Sequence, residues 1–283
     1  MDGDGKVEIV VGSSVGFLYV LDGASGESKN GWPKQMAEIQ AQVLAEDVDG
    51  DGFLEIVACD TKGSVACFDG RTGLERWEVH LGASITSNPT LGDVDGDGRL
   101  ELVVPTGSGA VVTLDASTGR TKKHFMTNAM VMSPILLAPL GPPPSSQQGQ
   151  PQGKGKGKGK GEGEGLHLAM LSFDGFLYLV DGYSGCWDAI DIGETSYAMP
   201  LLEDMDGDGR MELLVATMNG NVYAFRTQAK HHPAAAWQAQ VVRKRKSERA
   251  SDPPREPHRT LPPSLPPLFL GIQRRPMEAR SHD

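Results

Sequence analysis

The chain has 283 residues, of which 27 are Lys or Arg and 37 are Asp or Glu, and its formal net charge is −10 at pH 7. This acidity gives no support for a nucleic-acid partner, and three cysteines form neither a disulfide framework nor a zinc pattern. We expect no signal peptide and no membrane-spanning segment, because no apolar run is long enough.

Two landmarks recur along the chain and divide it into units. The first is an acidic loop, Asp-Val-Asp-Gly-Asp-Gly-Phe-Leu-Glu at residues 47–55, which returns at 93–101 and 204–212, while a copy without its first position opens the chain. The second is Gly-x-x-x-x-hydrophobic-Asp, which ends at four aspartates: Asp22, Asp69, Asp115 and Asp181. Both landmarks repeat with spacings of 46 or 47 residues over the first three units.

Each unit is predicted to contain four short strands. In the second unit these are Val43 to Val48, Leu54 to Cys59, Ser64 to Phe68 and Glu75 to Val79, and the acidic loop joins the first strand to the second. Four strands in a period of about 40 to 50 residues are typical of a β-propeller blade. The sequence therefore predicts an all-β fold, a β-propeller with about five four-stranded blades over residues 1–242, in which the first unit lacks its opening strand.

The fourth unit departs from the pattern. Its first two strands are predicted at Val131 to Ala138 and Leu166 to Leu171. Between them, residues 141–165 form a Pro- and Gln-rich stretch that is followed by alternating Gly-Lys and Gly-Glu, in place of the acidic loop. We expect this insertion to be disordered, since it has nothing apolar to bury. The fifth unit follows, and a basic, Pro-rich tail at 243–283 is also predicted to be disordered.

The acidic loops carry the strongest chemical signal. Carboxylates at alternate positions, with glycines that bend the backbone, are typical of a calcium loop. An EF-hand would need a glutamate at position twelve and flanking helices, and neither is present here. A simple Asp-Gly hairpin turn would not require fixed acidic spacing in four copies. We predict Ca²⁺ ligands at positions one, three, five and nine and at the carbonyl of position seven: Asp2, Asp4, Glu8, Asp47, Asp49, Asp51, Phe53, Glu55, Asp93, Asp95, Asp97, Arg99, Glu101, Asp204, Asp206, Asp208, Arg210 and Glu212.

These loops, together with the blade repeat, resemble the FG-GAP repeats of integrin α-subunits, whose hairpin loops bind calcium on one face of a propeller. Several further segments resemble the plant "defective in exine formation" family, at residues 12–22, 77–81, 172–179, 191–197 and 217–223. That resemblance implies a calcium-binding protein of the secretory route, anchored in a membrane and needed for pollen-wall patterning.

The sequence leaves three functions open. The first is a non-enzymatic adhesion or assembly module at a cell surface or in the secretory pathway, with a protein or a cell-wall polysaccharide as its partner. The second is a purely structural scaffold stabilised by calcium. The third is a quinone-dependent dehydrogenase, because Gly63 to Trp77 is similar to the repeats of pyrroloquinoline-quinone propellers, although the vicinal cysteine pair of that family is absent.

Overall fold

The computed structural model describes residues 5–140 and 165–230, and every regular element in these ranges is a β-strand. The 18 strands form five antiparallel sheets, and within each sheet the strands lie side by side in chain order. Sheets of this kind, repeated along the chain, are propeller blades. The prediction of an all-β propeller is confirmed, with three blades of four strands and two blades of three.

The first sheet contains β1 (Glu8–Gly12), β2 (Phe17–Asp22) and β3 (Lys34–Gln35). The second contains β4 (Leu44–Glu46), β5 (Glu55–Cys59), β6 (Ser64–Asp69) and β7 (Glu75–His80). The third contains β8 (Thr90–Gly92), β9 (Glu101–Pro105), β10 (Ala110–Asp115) and β11 (Thr121–Met126). The fourth contains β12 (Leu136–Ala138), β13 (His167–Leu171), β14 (Phe176–Asp181) and β15 (Trp187–Asp191). The fifth contains β16 (Leu201–Glu203), β17 (Arg210–Ala216) and β18 (Val222–Lys230).

The first strand of a unit is shorter than predicted. The expected strand from Val131 to Ala138 begins only at Leu136, and the expected strand from Val43 to Val48 is reduced to β4. Apolar content alone suggested a longer ladder in the fourth unit, but Pro134 has no N–H to donate to one. The other predicted strands of the second and fourth units agree with the structure to within a residue at each end.

The hydrophobic core consists of four clusters, one between each pair of neighbouring sheets. Single hydrogen bonds also cross these interfaces: Trp77 Nε1 donates to the carbonyl oxygen of Ala116 at 3.2 Å, and Thr90 Oγ1 donates to that of Ile135 at 3.1 Å. The apolar faces of each blade are therefore covered by the neighbouring blades, as the repeat pattern predicts.

Several predictions concern residues that the structure does not describe. Asp2, Asp4, nearly all of the insertion at 141–165 and the tail at 243–283 lie outside the described residues. Cys59 and Cys67 are buried free thiols, and Cys186 is an exposed free thiol. Within the described ranges, no helix has the length and apolarity needed to cross a bilayer.

Candidate metal centres

Three complete acidic loops each connect the first strand of a sheet to the second. They lie at residues 47–55, 93–101 and 204–212, between β4 and β5, β8 and β9, and β16 and β17. The glycines at positions four and six have φ between 75° and 95° in all three loops, a conformation that costs little only for glycine. These two residues bend the chain so that a strand returns within nine positions.

The aspartate at position one closes the loop. Asp93 accepts hydrogen bonds from the N–H groups of Gly96 at 2.8 Å and Gly98 at 2.9 Å, one on each carboxylate oxygen. The same two bonds recur at Asp47 and Asp204 with lengths of 2.6 to 3.0 Å. Position one is thus fixed by the backbone of its own loop.

The aspartates at positions three and five use one oxygen each within the loop. Asp95 Oδ1 accepts the N–H of Asp97 at 3.3 Å, and Asp97 Oδ1 accepts the N–H of Arg99 at 2.9 Å. Equivalent bonds of 2.8 to 3.1 Å are present in the other two loops. The second oxygen of each carboxylate accepts no backbone hydrogen bond of the loop, and that of Asp97 accepts from the Arg99 side chain at 2.9 Å.

The glutamate at position nine is the most buried carboxylate of each loop. The exposed fraction is 0% for Glu55, 1% for Glu101 and 7% for Glu212. In each case Oε2 accepts the N–H of position two, at 3.1 Å, 2.8 Å and 3.0 Å respectively. Burial raises the pKa of Glu55 and of Glu101, because a charged carboxylate is poorly solvated there.

Positions one, three and nine converge in all three loops. One carboxylate oxygen from each of these residues lies within 4.8 Å of the others, in three groups: Asp47, Asp49 and Glu55; Asp93, Asp95 and Glu101; Asp204, Asp206 and Glu212. The predicted ligands at position five (Asp51, Asp97 and Asp208) lie outside these groups, and the carbonyls of Phe53, Arg99 and Arg210 stay predictions. In the opening loop, Glu8 pairs with Lys29 at 3.0 Å.

The donor set fits a divalent metal ion. The Oε1 atoms of Glu55 and Glu212 are buried and accept no hydrogen bond, so each depends on a nearby positive charge, which Arg76 provides at 3.1 Å and Arg226 at 3.6 Å. Carboxylate oxygens are hard donors of the kind that Ca²⁺, Mg²⁺ and Mn²⁺ prefer. The acidic clusters could therefore hold a metal ion.

The sequence reasoning did not find the basic residues at these loops. Arg76 contacts the carboxylates of Asp49 and Glu55, with Arg76 Nη2 at 3.1 Å from Glu55 Oε1, and Lys122 occupies the same position in the third unit. A signal was present, since Lys29, Arg76 and Lys122 each follow the strand-end aspartate of their unit by seven residues.

Comparison with known proteins agrees with this architecture. Residues 47–104 match the FG-GAP-like repeat family. No curated protein sequence matches the chain. The solved structure of BBS1N in complex with ARL6DN is 12% identical, with a TM-score of 0.50 over 82% of this chain and 59% of that one.

Two other solved structures are similar to a comparable degree. The computationally designed Ika8 protein is 14% identical, with a TM-score of 0.51 over 77% of this chain and 55% of that chain. BamB from Moraxella catarrhalis is 17% identical, with a TM-score of 0.47 over 77% of this chain and 57% of that chain. The chain thus spans less than two thirds of each of these solved chains, and the likeness to BBS1N and to Ika8 concerns the fold alone. The described residues form a β-propeller fold in which residues 47–104 match the FG-GAP-like repeat.

Proposed function

We propose that this protein is a non-enzymatic calcium-binding propeller that serves as an adhesion or assembly module. The observation that carries the proposal is the threefold convergence of carboxylates at positions one, three and nine, each group with a buried glutamate. A single acidic turn would be unremarkable on a protein surface. Three turns with the same hydrogen bonds and the same buried glutamate at position nine support a common ligand.

Calcium suits these groups better than magnesium does. Ca²⁺ accepts six to eight oxygen ligands in flexible geometry, whereas Mg²⁺ demands an octahedron and usually keeps several waters with only one or two carboxylates. Each loop brings three carboxylates together within 4.8 Å and carries a fourth at position five. Such a ligand set favours the larger ion.

Isothermal titration of the full chain with Ca²⁺ and with Mg²⁺ tests this proposal. We expect at least three calcium sites with dissociation constants of about 10⁻⁴ to 10⁻³ M, as in extracellular modules, and weaker binding of Mg²⁺. Asp95→Asn should remove one site. Asp188→Asn is the matched control, because Asp188 is an exposed aspartate in the one unit whose sequence lacks an acidic loop. Absence of calcium binding at millimolar concentration would refute the proposal.

We also propose that the partner is a protein or a cell-wall polysaccharide bound at a propeller face, at the cell surface or in the secretory pathway. The resemblance to integrin-like and exine-forming families supports this placement. A cavity of about 220 Å³ is lined by residues of several units, including Gln42, Asn88, Thr90 and Met199, and is a candidate contact point for such a partner. Binding of the purified protein to polysaccharide arrays, with calcium and with chelator, tests the idea, and a calcium-independent or absent signal would contradict it.

A further inference from the structure

Every acidic loop of the described residues contacts at least one basic side chain of its own blade. Lys122 Nζ lies 2.7 Å from Asp95 Oδ2, 2.7 Å from Glu101 Oε1 and 3.3 Å from Asp97 Oδ2. The backbone hydrogen bonds of the loop do not use these carboxylate oxygens, although Asp97 Oδ2 also accepts from the Arg99 guanidinium at 2.9 Å. The ammonium group therefore contacts the same atoms that a metal ion at this loop would use.

The second unit repeats this arrangement with a different basic residue. The guanidinium of Arg76 contacts Asp49 and lies 3.1 Å from Glu55 Oε1 and 3.7 Å from Asp51 Oδ2. In the first unit Lys29 lies 3.0 Å from Glu8 Oε1. In all three units the basic residue follows the position-nine glutamate by 21 residues.

A β-bulge places the basic residue in the second and third units. Leu114 pairs with Thr121 and Thr113 pairs with Lys123, so Lys122 is an extra residue in β11. Arg76 is the extra residue in β7 for the same reason, since Phe68 pairs with Glu75 and Cys67 with Trp77. Bulges often serve to direct a side chain toward a site, and here both direct a cation into an acidic loop.

The fourth unit provides an internal comparison. The sequence between β12 and β13 contains no aspartate, and the residue seven positions after the strand-end Asp181 is Asp188 rather than a basic residue. The pairing of β14 with β15 is regular, with Val180 opposite Trp187 and Leu179 opposite Asp188. Where the acidic loop is missing, both the basic residue and the bulge are missing as well.

In the fifth unit the basic residue lies at a different position in the blade. Arg226 pairs across the ladder with Glu212, where the other units have the strand-end aspartate. Its Nη2 lies 2.7 Å from Asp206 Oδ2, but its Nε is 3.6 Å from Glu212 Oε1 and its side chain is 60% exposed, against 20% for Lys122. The acidic loop of the fifth unit thus also has a basic partner, which comes from another sequence position and makes longer contacts with the glutamate.

We propose that these basic side chains are built-in competitors of the metal, so that calcium binds each loop by exchange for a lysine or arginine of the same blade. The inference rests on the calcium binding proposed above. Without metal, several carboxylates within one loop repel each other, and the basic side chain offsets this repulsion and keeps the blade folded. With metal, the same side chain must leave the oxygens, which lowers the affinity of the loop.

Lys122→Gln tests the exchange, with Arg76→Gln as a second variant and Lys62→Gln as the control. Lys62 is exposed and belongs to no acidic loop, so its replacement changes the net charge equally. Surface ion pairs are individually weak, but Lys122 contacts three carboxylates of one loop. We therefore expect one calcium site to bind about tenfold more tightly in Lys122→Gln and in Arg76→Gln, and both variants to melt at a lower temperature than wild type in chelator. Lys122→Arg should behave like wild type.

The outcomes separate this inference from the function on which it rests. Unchanged calcium affinity in both glutamine variants, with wild type binding calcium normally, would overturn the exchange and leave the calcium proposal intact. A change of the same size in Lys62→Gln would also overturn it, because the effect would then come from net charge. No calcium binding by any variant, Lys122→Gln included, would overturn both.

Discussion

Glu101 offers a way to separate the structural role of an acidic loop from its role toward metal. Its side chain is 1% exposed, and Oε2 accepts the N–H of Val94 at 2.8 Å and of Asp95 at 3.4 Å. Oε1 accepts from Lys122 at 2.7 Å. Glutamine at this position can still accept the backbone bonds through its amide oxygen but carries no charge, whereas alanine removes both functions.

The two substitutions should therefore differ when metal is absent. In Glu101→Ala the buried N–H of Val94 loses its acceptor, which costs about 1 to 3 kcal/mol, and a cavity adds to this loss. In Glu101→Gln that N–H keeps its partner, and the ion pair lost with Lys122 is offset by removal of a poorly solvated buried carboxylate. We expect the alanine variant to lose about 2 to 3 kcal/mol of unfolding free energy and the glutamine variant less than about 1 kcal/mol.

Added calcium should affect the two variants alike, because both lose the charged ligand and with it the stabilisation that calcium gives at this loop. At a free concentration of about ten times the dissociation constant, one site contributes about 1.4 kcal/mol. Urea unfolding of wild type and both variants, in chelator and in calcium, gives the four differences needed. If Glu101→Gln kept the full calcium response of wild type, or if it were as unstable in chelator as Glu101→Ala, the division of roles would be refuted.

Three further predictions follow from the same geometry. With free calcium at about ten times the dissociation constant, binding at the three described acidic clusters should add about 4 kcal/mol to the unfolding free energy. The melting temperature should then be roughly 10 °C higher than in chelator, and identical melts would contradict the calcium proposal. Gly119→Ala should lower the unfolding free energy by about 2 to 4 kcal/mol in urea, since a Cβ would lie 2.6 Å from the Trp77 ring and φ is +71°. Gly193→Ala is the control for backbone strain alone, because φ is +69° and nothing lies near its Cβ. It should lower the unfolding free energy by about 1 kcal/mol. Trp77→Phe should lose about 2 kcal/mol through the hydrogen bond to Ala116 and the packing between blades, with unchanged calcium stoichiometry by titration.

The acidic loops could be predicted from sequence because their ligands are local. All carboxylates of a loop lie within nine residues, so spacing alone indicates which side chains can converge. The period of the landmarks likewise predicted the blades, since each blade is one repeat of the same ladder. What the sequence could not indicate was which aspartate stays apart: positions one, three and nine converge, while the position-five carboxylates do not join these groups.

The basic partner could not be assigned from sequence for a different reason. Lys122 is 21 residues from Glu101, and an alternating strand that begins at Thr121 gives no indication that this side chain points toward the loop. The contact depends on the bulge between Thr113 and Leu114, which shifts the alternation of side chains by one residue. The recurrence of a basic residue seven positions after the strand-end aspartate was visible, but only the register shows its meaning.

The fourth unit shows why position nine has two separable roles. His167 pairs with Asp181 across β13 and β14, as Glu55 pairs with Asp69 and Glu101 with Asp115 in their blades. His167 Nδ1 accepts the N–H of Leu140 at 3.4 Å.

Leu140 lies two residues after the end of β12, as Val48 lies two residues after the end of β4. The histidine therefore keeps the hydrogen bond that links the chain after the first strand of the blade to the second strand. It lacks the second carboxylate oxygen, and its unit also lacks the aspartates and the basic residue. The bond from position two is therefore kept in a unit without an acidic loop, whereas a carboxylate stands at position nine only in the units that have the acidic loop.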